Sequence, residues 1–116
     1  MGLEWRAMAL GLVLAGCAGP TDGRWVGPVM ADGPGCPSSR GVLEARDGRF
    51  VFAPSEGVVV LRGTVSPSGD MHGVFETEGS NHQPVRYRFD GRLAEHRVEG
   101  VLDQPGCRSR VALQPG

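Results

Sequence analysis

From Arg24 to the C-terminus, apolar and polar residues alternate with a period of two, and no stretch carries the 3.6-residue period of an amphipathic helix. Clusters of Gly, Pro, Asp and Ser interrupt the alternation at the short intervals expected of hairpin turns. The pattern predicts strands over residues 24–30, 40–46, 49–53, 58–65, 70–77, 85–93, 97–103 and 108–113. The connecting signals include Asp47-Gly48, Pro54-Ser55-Glu56-Gly57, Ser66-Pro67-Ser68-Gly69, Gly79-Ser80-Asn81-His82 and Gln104-Pro105-Gly106. Short strands at this spacing predict an all-β domain: a small antiparallel up-and-down β-barrel or sandwich of about eight strands.

An apolar-x-Gly-x-apolar pattern recurs around Gly27, Gly63, Gly73, Gly91 and Gly100. In a strand each such glycine shares a face with its two apolar neighbours. Matching apolar faces across the hairpins sets Val65 opposite Met71, Met71 opposite Leu93, and Leu93 opposite Val98. That register aligns Gly63, Gly73, Gly91 and Gly100 in one row, with Leu61, Phe75, Phe89 and Leu102 in the next. On the outer face it sets Glu78 against Arg86, Glu76 against Arg88, Arg92 against Glu99 and Arg88 near Asp103, all opposite charges. A row of glycines lets strands coil tightly enough to close a small barrel. No helix N-terminus follows any of these glycines, so a phosphate-binding role is not expected.

Composition narrows the picture. With 19 Gly and 9 Pro in 116 residues, helical bundles are excluded by the cost of glycine inside helices. Leu, Val and Phe make up roughly 23% of the chain and Ile is absent, so the core sits only just above the level of about 20% at which chains stop folding. One small domain is the most this length holds. Basic residues number 12, all Arg, against 13 acidic, and this balance gives no electrostatic reason to expect a nucleic-acid partner.

Residues 1–17 follow a different rule. A cation at Arg6 precedes an apolar run from Ala7 to Leu14, and then Leu14-Ala15-Gly16-Cys17. The run is far shorter than the roughly 18–20 residues that span a bilayer, and its layout is that of a secretory signal. Leu14-Ala15-Gly16-Cys17 resembles the lipobox of bacterial lipoproteins. The resemblance implies a signal peptide over 1–16, cleavage before Cys17, and a mature chain tethered to a membrane by a diacylglyceryl thioether and an acylated amine on Cys17. Several acyl chains give stable anchoring where one is marginal. Ala18, rather than Asp, follows the cysteine, which in enteric-type sorting implies the outer membrane, facing the periplasm. The expected organisation is therefore signal peptide 1–16, lipidated linker 17–23 and a single barrel domain 24–116.

With Cys17 acylated, Cys36 and Cys107 remain as an even pair in an oxidising compartment, so a disulfide is expected. In an up-and-down meander the loops at 30–40, 53–57, 78–84 and 103–107 share one end, which brings both cysteines to it. The linker and C-terminus then sit at the other end. The braced loop end faces away from the membrane, and Ser38, Ser39, Asn81 and His82 are its expected contact residues.

Other chemistry is weakly represented. His72, His82 and His96 fall mid-strand, in a distal loop and in a membrane-proximal loop, so no metal site and no cofactor is expected. Ser38, Ser39 and Ser55 lack a nucleophile-elbow context and read as turn formers. Glu76 and Glu78 read as half of a surface ion-pair ladder with Arg86 and Arg88 rather than as acid/base catalysts. Six of the 12 Arg lie between 86 and 110, interleaved with acids, as on a solvated sheet face. Inside, Trp25, Phe75, Tyr87 and Phe89 join the aliphatics, with Thr77 and Tyr87 almost the only inward polar groups, which favours a filled barrel over a ligand-bearing one.

The barrel domain also resembles the small periplasmic barrels that include bacterial metalloprotease inhibitors, through Trp25 at the start of the first strand, Cys36 soon after it, and barrel size. That family's disulfide is local, whereas Cys36 and Cys107 are far apart in this chain. The sequence thus points to a membrane-anchored envelope lipoprotein with a non-enzymatic binding or structural domain. The alternatives are a carrier of a small apolar ligand in the lumen and an inhibitor of an envelope hydrolase.

Overall fold

The computed structural model describes residues 21–116. The strands are β1 (Gly23–Ala31), β2 (Ser39–Arg46), β3 (Arg49–Ala53), β4 (Leu61–Val65), β5 (Asp70–Glu78), β6 (Pro84–Ala94), β7 (Arg97–Gln104) and β8 (Cys107–Pro115). Each pairs antiparallel with its neighbour in sequence, and β8 pairs back onto β1, so the sheet closes into an up-and-down barrel without free edges. The eight strands match the expected ones closely. The largest departure is β4, which starts at Leu61 rather than at 58 and leaves Val58 87% exposed in the β3–β4 loop.

Alternation of burial follows the alternation of residue type most closely on β1, β2, β3 and β8. Arg24, Pro28 and Met30 are exposed on β1 while Trp25, Gly27 and Val29 are buried, and β2, β3 and β8 repeat the pattern. Fourteen hydrophobic residues form one buried cluster. Its centre is aromatic: the Phe89 ring meets Phe50 edge-on at 5.9 Å and tilts against Phe52 at 5.0 Å. Glycines seat these rings. A Cβ on Gly73 would stand 2.7 Å from the Phe50 ring, one on Gly41 2.9 Å from the Phe52 ring, and Gly91 and Gly100 both lie under Phe89. One inward polar group stands outside the expectation: Ser109 is fully buried, and Gln104 Nε2 donates to its hydroxyl at 3.5 Å.

The predicted pairings Val65 with Met71, Leu93 with Val98, Arg92 with Glu99 and Arg88 with Asp103 are present. The β5–β6 register is not the predicted one. Met71 faces Gly91 rather than Leu93, Gly73 faces Phe89, and Glu76 faces Arg86, a slip of two residues. Two features account for it. The connection tightens into a 3₁₀ turn at Ser80–His82, closed by Gly79 N–H donating to Gln83 O at 2.8 Å, so Glu78 pairs with Pro84. The slip also sets Phe89 against Gly73, where its ring fits between Phe50 and Phe52. The glycine row is therefore broken between Gly73 and Gly91, and persists only as the pairs Gly63–Gly73 and Gly91–Gly100.

Candidate functional site

The loops β1–β2, β3–β4, β5–β6 and β7–β8 gather at one end of the barrel, as an up-and-down order requires. The disulfide there joins Cys36, in the β1–β2 loop, to Cys107, the first residue of β8, with Cα atoms 5.9 Å apart. Those Cα atoms lie within the range that disulfide geometry tolerates.

The four expected contact residues fall on two parts of this end, Ser38 just before and Ser39 at the start of β2, and Asn81 and His82 in the β5–β6 loop. Ser38 Oγ accepts from Ala31 N–H at 3.1 Å, and Ser39 Oγ donates to the Pro54 carbonyl at 2.6 Å from a half-buried position. Both hydroxyls thus knit the rim of the barrel. Asn81 and His82 lie in the β5–β6 loop, across the eight-strand circuit from the β1–β2 loop, and both have positive φ, 62° and 58°. His82 Nδ1 stands 3.4 Å from Glu78 Oε1. This end also carries the half-buried pair Phe75 and Tyr87, packed edge-to-face at 5.8 Å.

The outer face of β5–β8 carries the ion-pair ladder with the partners reset by the slip. Arg86 pairs with Glu76, Arg92 Nη1 donates to Asp70 at 2.8 Å, and Asp90 takes both Arg88 at 3.0 Å and His72 at 2.7 Å. Arg108 reaches Asp103 at 3.4 Å. Each partner is largely solvent-exposed, so these pairs order the surface more than they stabilise the fold.

Recesses that the sequence reading did not anticipate lie at the opposite end, where the chain enters the barrel. An open groove of about 1140 Å³ runs along the β2–β3 rim between Arg24, Glu44, Arg46 and Arg49. A second, of about 460 Å³, lies between Trp25, Pro67, Leu93 and His96. The Trp25 indole N–H donates to the His96 carbonyl at 3.2 Å and closes the barrel floor beside it. Ser66, Ser68 and Asp70 bond to one another in the adjacent β4–β5 turn. Among the described residues no serine hydroxyl is bonded to a histidine, and no three metal-ligating side chains converge. The grooves were invisible in the sequence because they form where hairpin rims splay, a property of closure rather than of local pattern.

Leu14-Ala15-Gly16-Cys17, the segment that resembles a lipobox, lies outside the described residues. Comparison with family models, with curated proteins and with solved structures returns no match.

Proposed function

We propose that this chain is a lipid-anchored protein of the bacterial envelope, held by acyl chains on Cys17 to the outer membrane and facing the periplasm, with a barrel that acts as a non-enzymatic binding or structural module. The observation that carries this reading is the Cys36–Cys107 disulfide. It uses both cysteines of the barrel, belongs to an oxidising compartment, and leaves Cys17 alone in a lipobox-like setting directly ahead of the first strand. The aromatic centre built by Phe50, Phe52 and Phe89 supports a binding surface outside the barrel over a ligand within it.

The test is membrane partition of the full chain expressed with its own leader, beside the Cys17→Ser variant. Wild type is expected in the detergent-extractable membrane fraction at high salt, with an acylated Cys17 peptide, and the variant without the adduct. A wild-type chain without an acyl adduct on Cys17 that partitions as the variant does would overturn the reading.

A further inference from the structure

The outward-facing side chains divide the barrel into two unlike halves. On β5–β8 six arginines alternate with six carboxylates, and the ladder described above satisfies most of them. On β1–β4 the outward positions hold five arginines, Arg24, Arg40, Arg46, Arg49 and Arg62, against one carboxylate, Glu44, which Arg24 engages at 3.5 Å. Arg40, Arg46, Arg49 and Arg62 have no ion-pair partner among the described residues. Arg46 and Arg49 are directly opposed across β2–β3, with Asp47 in the turn between them and Asp22 lining the same groove.

The remaining outward side chains of this half are chiefly apolar. Val26, Pro28 and Met30 follow one another along β1, Val42 pairs with Val26 across β1–β2, and Arg62 sits between Val51 and Val74. Met30 is 50% exposed and Val51 38%. Arginine stems alternating with modest apolar side chains suit an interface where headgroups take the guanidinium and the stems lie against apolar matter. The charged stripe runs the length of β2, from Arg40 near the disulfide end to Arg46 at the end where the chain enters.

We propose that the β1–β4 face docks on the anionic phospholipid headgroups of the bilayer that holds the anchor. The proposal rests on the lipid-anchor reading, because that reading puts a membrane next to this face. β1 begins at Gly23, six positions after Cys17, and at about 3.5 Å per residue the tether holds its start within about 20 Å of the acylated residue. β1 lies in the half whose strand arginines are mostly without ion-pair partners among the described residues, and laying the barrel on its side with that half down brings them to the headgroups. Each arginine brought to an anionic surface adds to the attraction, and the anchor makes the encounter intramolecular. The ion-paired half and its charge-balanced surface then face the periplasm.

Arginine-specific modification read by mass spectrometry tests this on the full chain, extracted from membranes and reconstituted into phosphatidylcholine vesicles with or without phosphatidylglycerol. Phenylglyoxal reactivity of Arg40, Arg46, Arg49 and Arg62 is expected to fall about fivefold in the anionic vesicles and to recover at high salt. Arg97, exposed on the other half with no ion pair among the described residues, serves as internal control and should not change. A chain that stays with both kinds of vesicle while all these arginines react equally overturns the docking face but leaves the anchor standing, and would redirect the face to an acidic protein partner. Association with anionic vesicles alone, with the four arginines protected, supports the face and removes the anchor. Failure to associate with either removes both. An Arg40/Arg46/Arg49/Arg62→Gln variant should stay anchored and lose the difference between the two lipid compositions.

Discussion

At the scale of single residues the barrel is organised by glycines that make room for rings. A methyl group on Gly91 would press on the Phe89 ring and stand 2.8 Å from the Glu99 carbonyl oxygen, whereas one on Gly33 would meet nothing within 4 Å. Gly91→Ala should therefore destabilise the fold by about 1–3 kcal/mol through overpacking. Gly33→Ala should be close to neutral, and urea denaturation of the two variants side by side measures the contrast. Phe89→Ala removes the ring that both neighbours pack against and should cost about 3–5 kcal/mol in the same assay. The positions of these glycines were legible as an apolar-x-Gly-x-apolar pattern. Their purpose was not: sequence alternation places a glycine on the inner face, but which ring lies over it depends on pairing between strands and on rotamers.

At the scale of elements, hairpins with short turns were readable because the turn itself fixes the pairing. Asp47-Gly48 forces β2 onto β3 with one register, and the observed Arg46–Arg49 pair is the one it dictates. The β5–β6 connection is longer, and there the expected register was wrong by two residues. Charge complementarity could not detect the error. Acids and arginines alternate on β5 and β6 with a period of two, so a slip of two exchanges one set of opposite-charge pairs for another. A double-mutant cycle distinguishes them: Glu76 and Arg86 should couple by a few tenths of a kcal/mol, up to about 1, and Glu76 with Arg88 not measurably. The β6–β7 hairpin makes a different prediction. Its two-residue turn places Glu95 and His96 at φ 53° and 63°, a conformation that Asn-Gly adopts more readily. Replacing the pair by Asn-Gly should raise stability by about 1 kcal/mol, read as a higher denaturation midpoint, since the Trp25 bond is to the backbone of His96 and survives the change.

At the scale of the whole molecule, a small core is closed by one long covalent link. Cys36 and Cys107 are 71 residues apart in sequence, and a loop of that size restricts the unfolded chain by about 4 kcal/mol in the entropic account. A Cys36→Ala/Cys107→Ala variant should lose stability of that order, with the barrel topology intact where it still folds. The strand order, the closure and the meeting of the two cysteines at one end all followed from alternation and turn spacing. The uneven distribution of strand carboxylates among the arginines did not, because it appears only after the strands are wrapped into a circuit and each half is viewed from outside. In the proposed function lipid on Cys17 holds this barrel to a membrane, and the disulfide of the other two cysteines braces it. Intact and peptide mass spectrometry of the full chain recovered from membranes, alkylated under denaturing conditions before and after reduction, tests both together. The expected result is a chain beginning at Cys17 with lipid on that residue, and Cys36 and Cys107 alkylated only after reduction. An unmodified Cys17 in the mature chain, or free thiols at the other two positions before reduction, would contradict it.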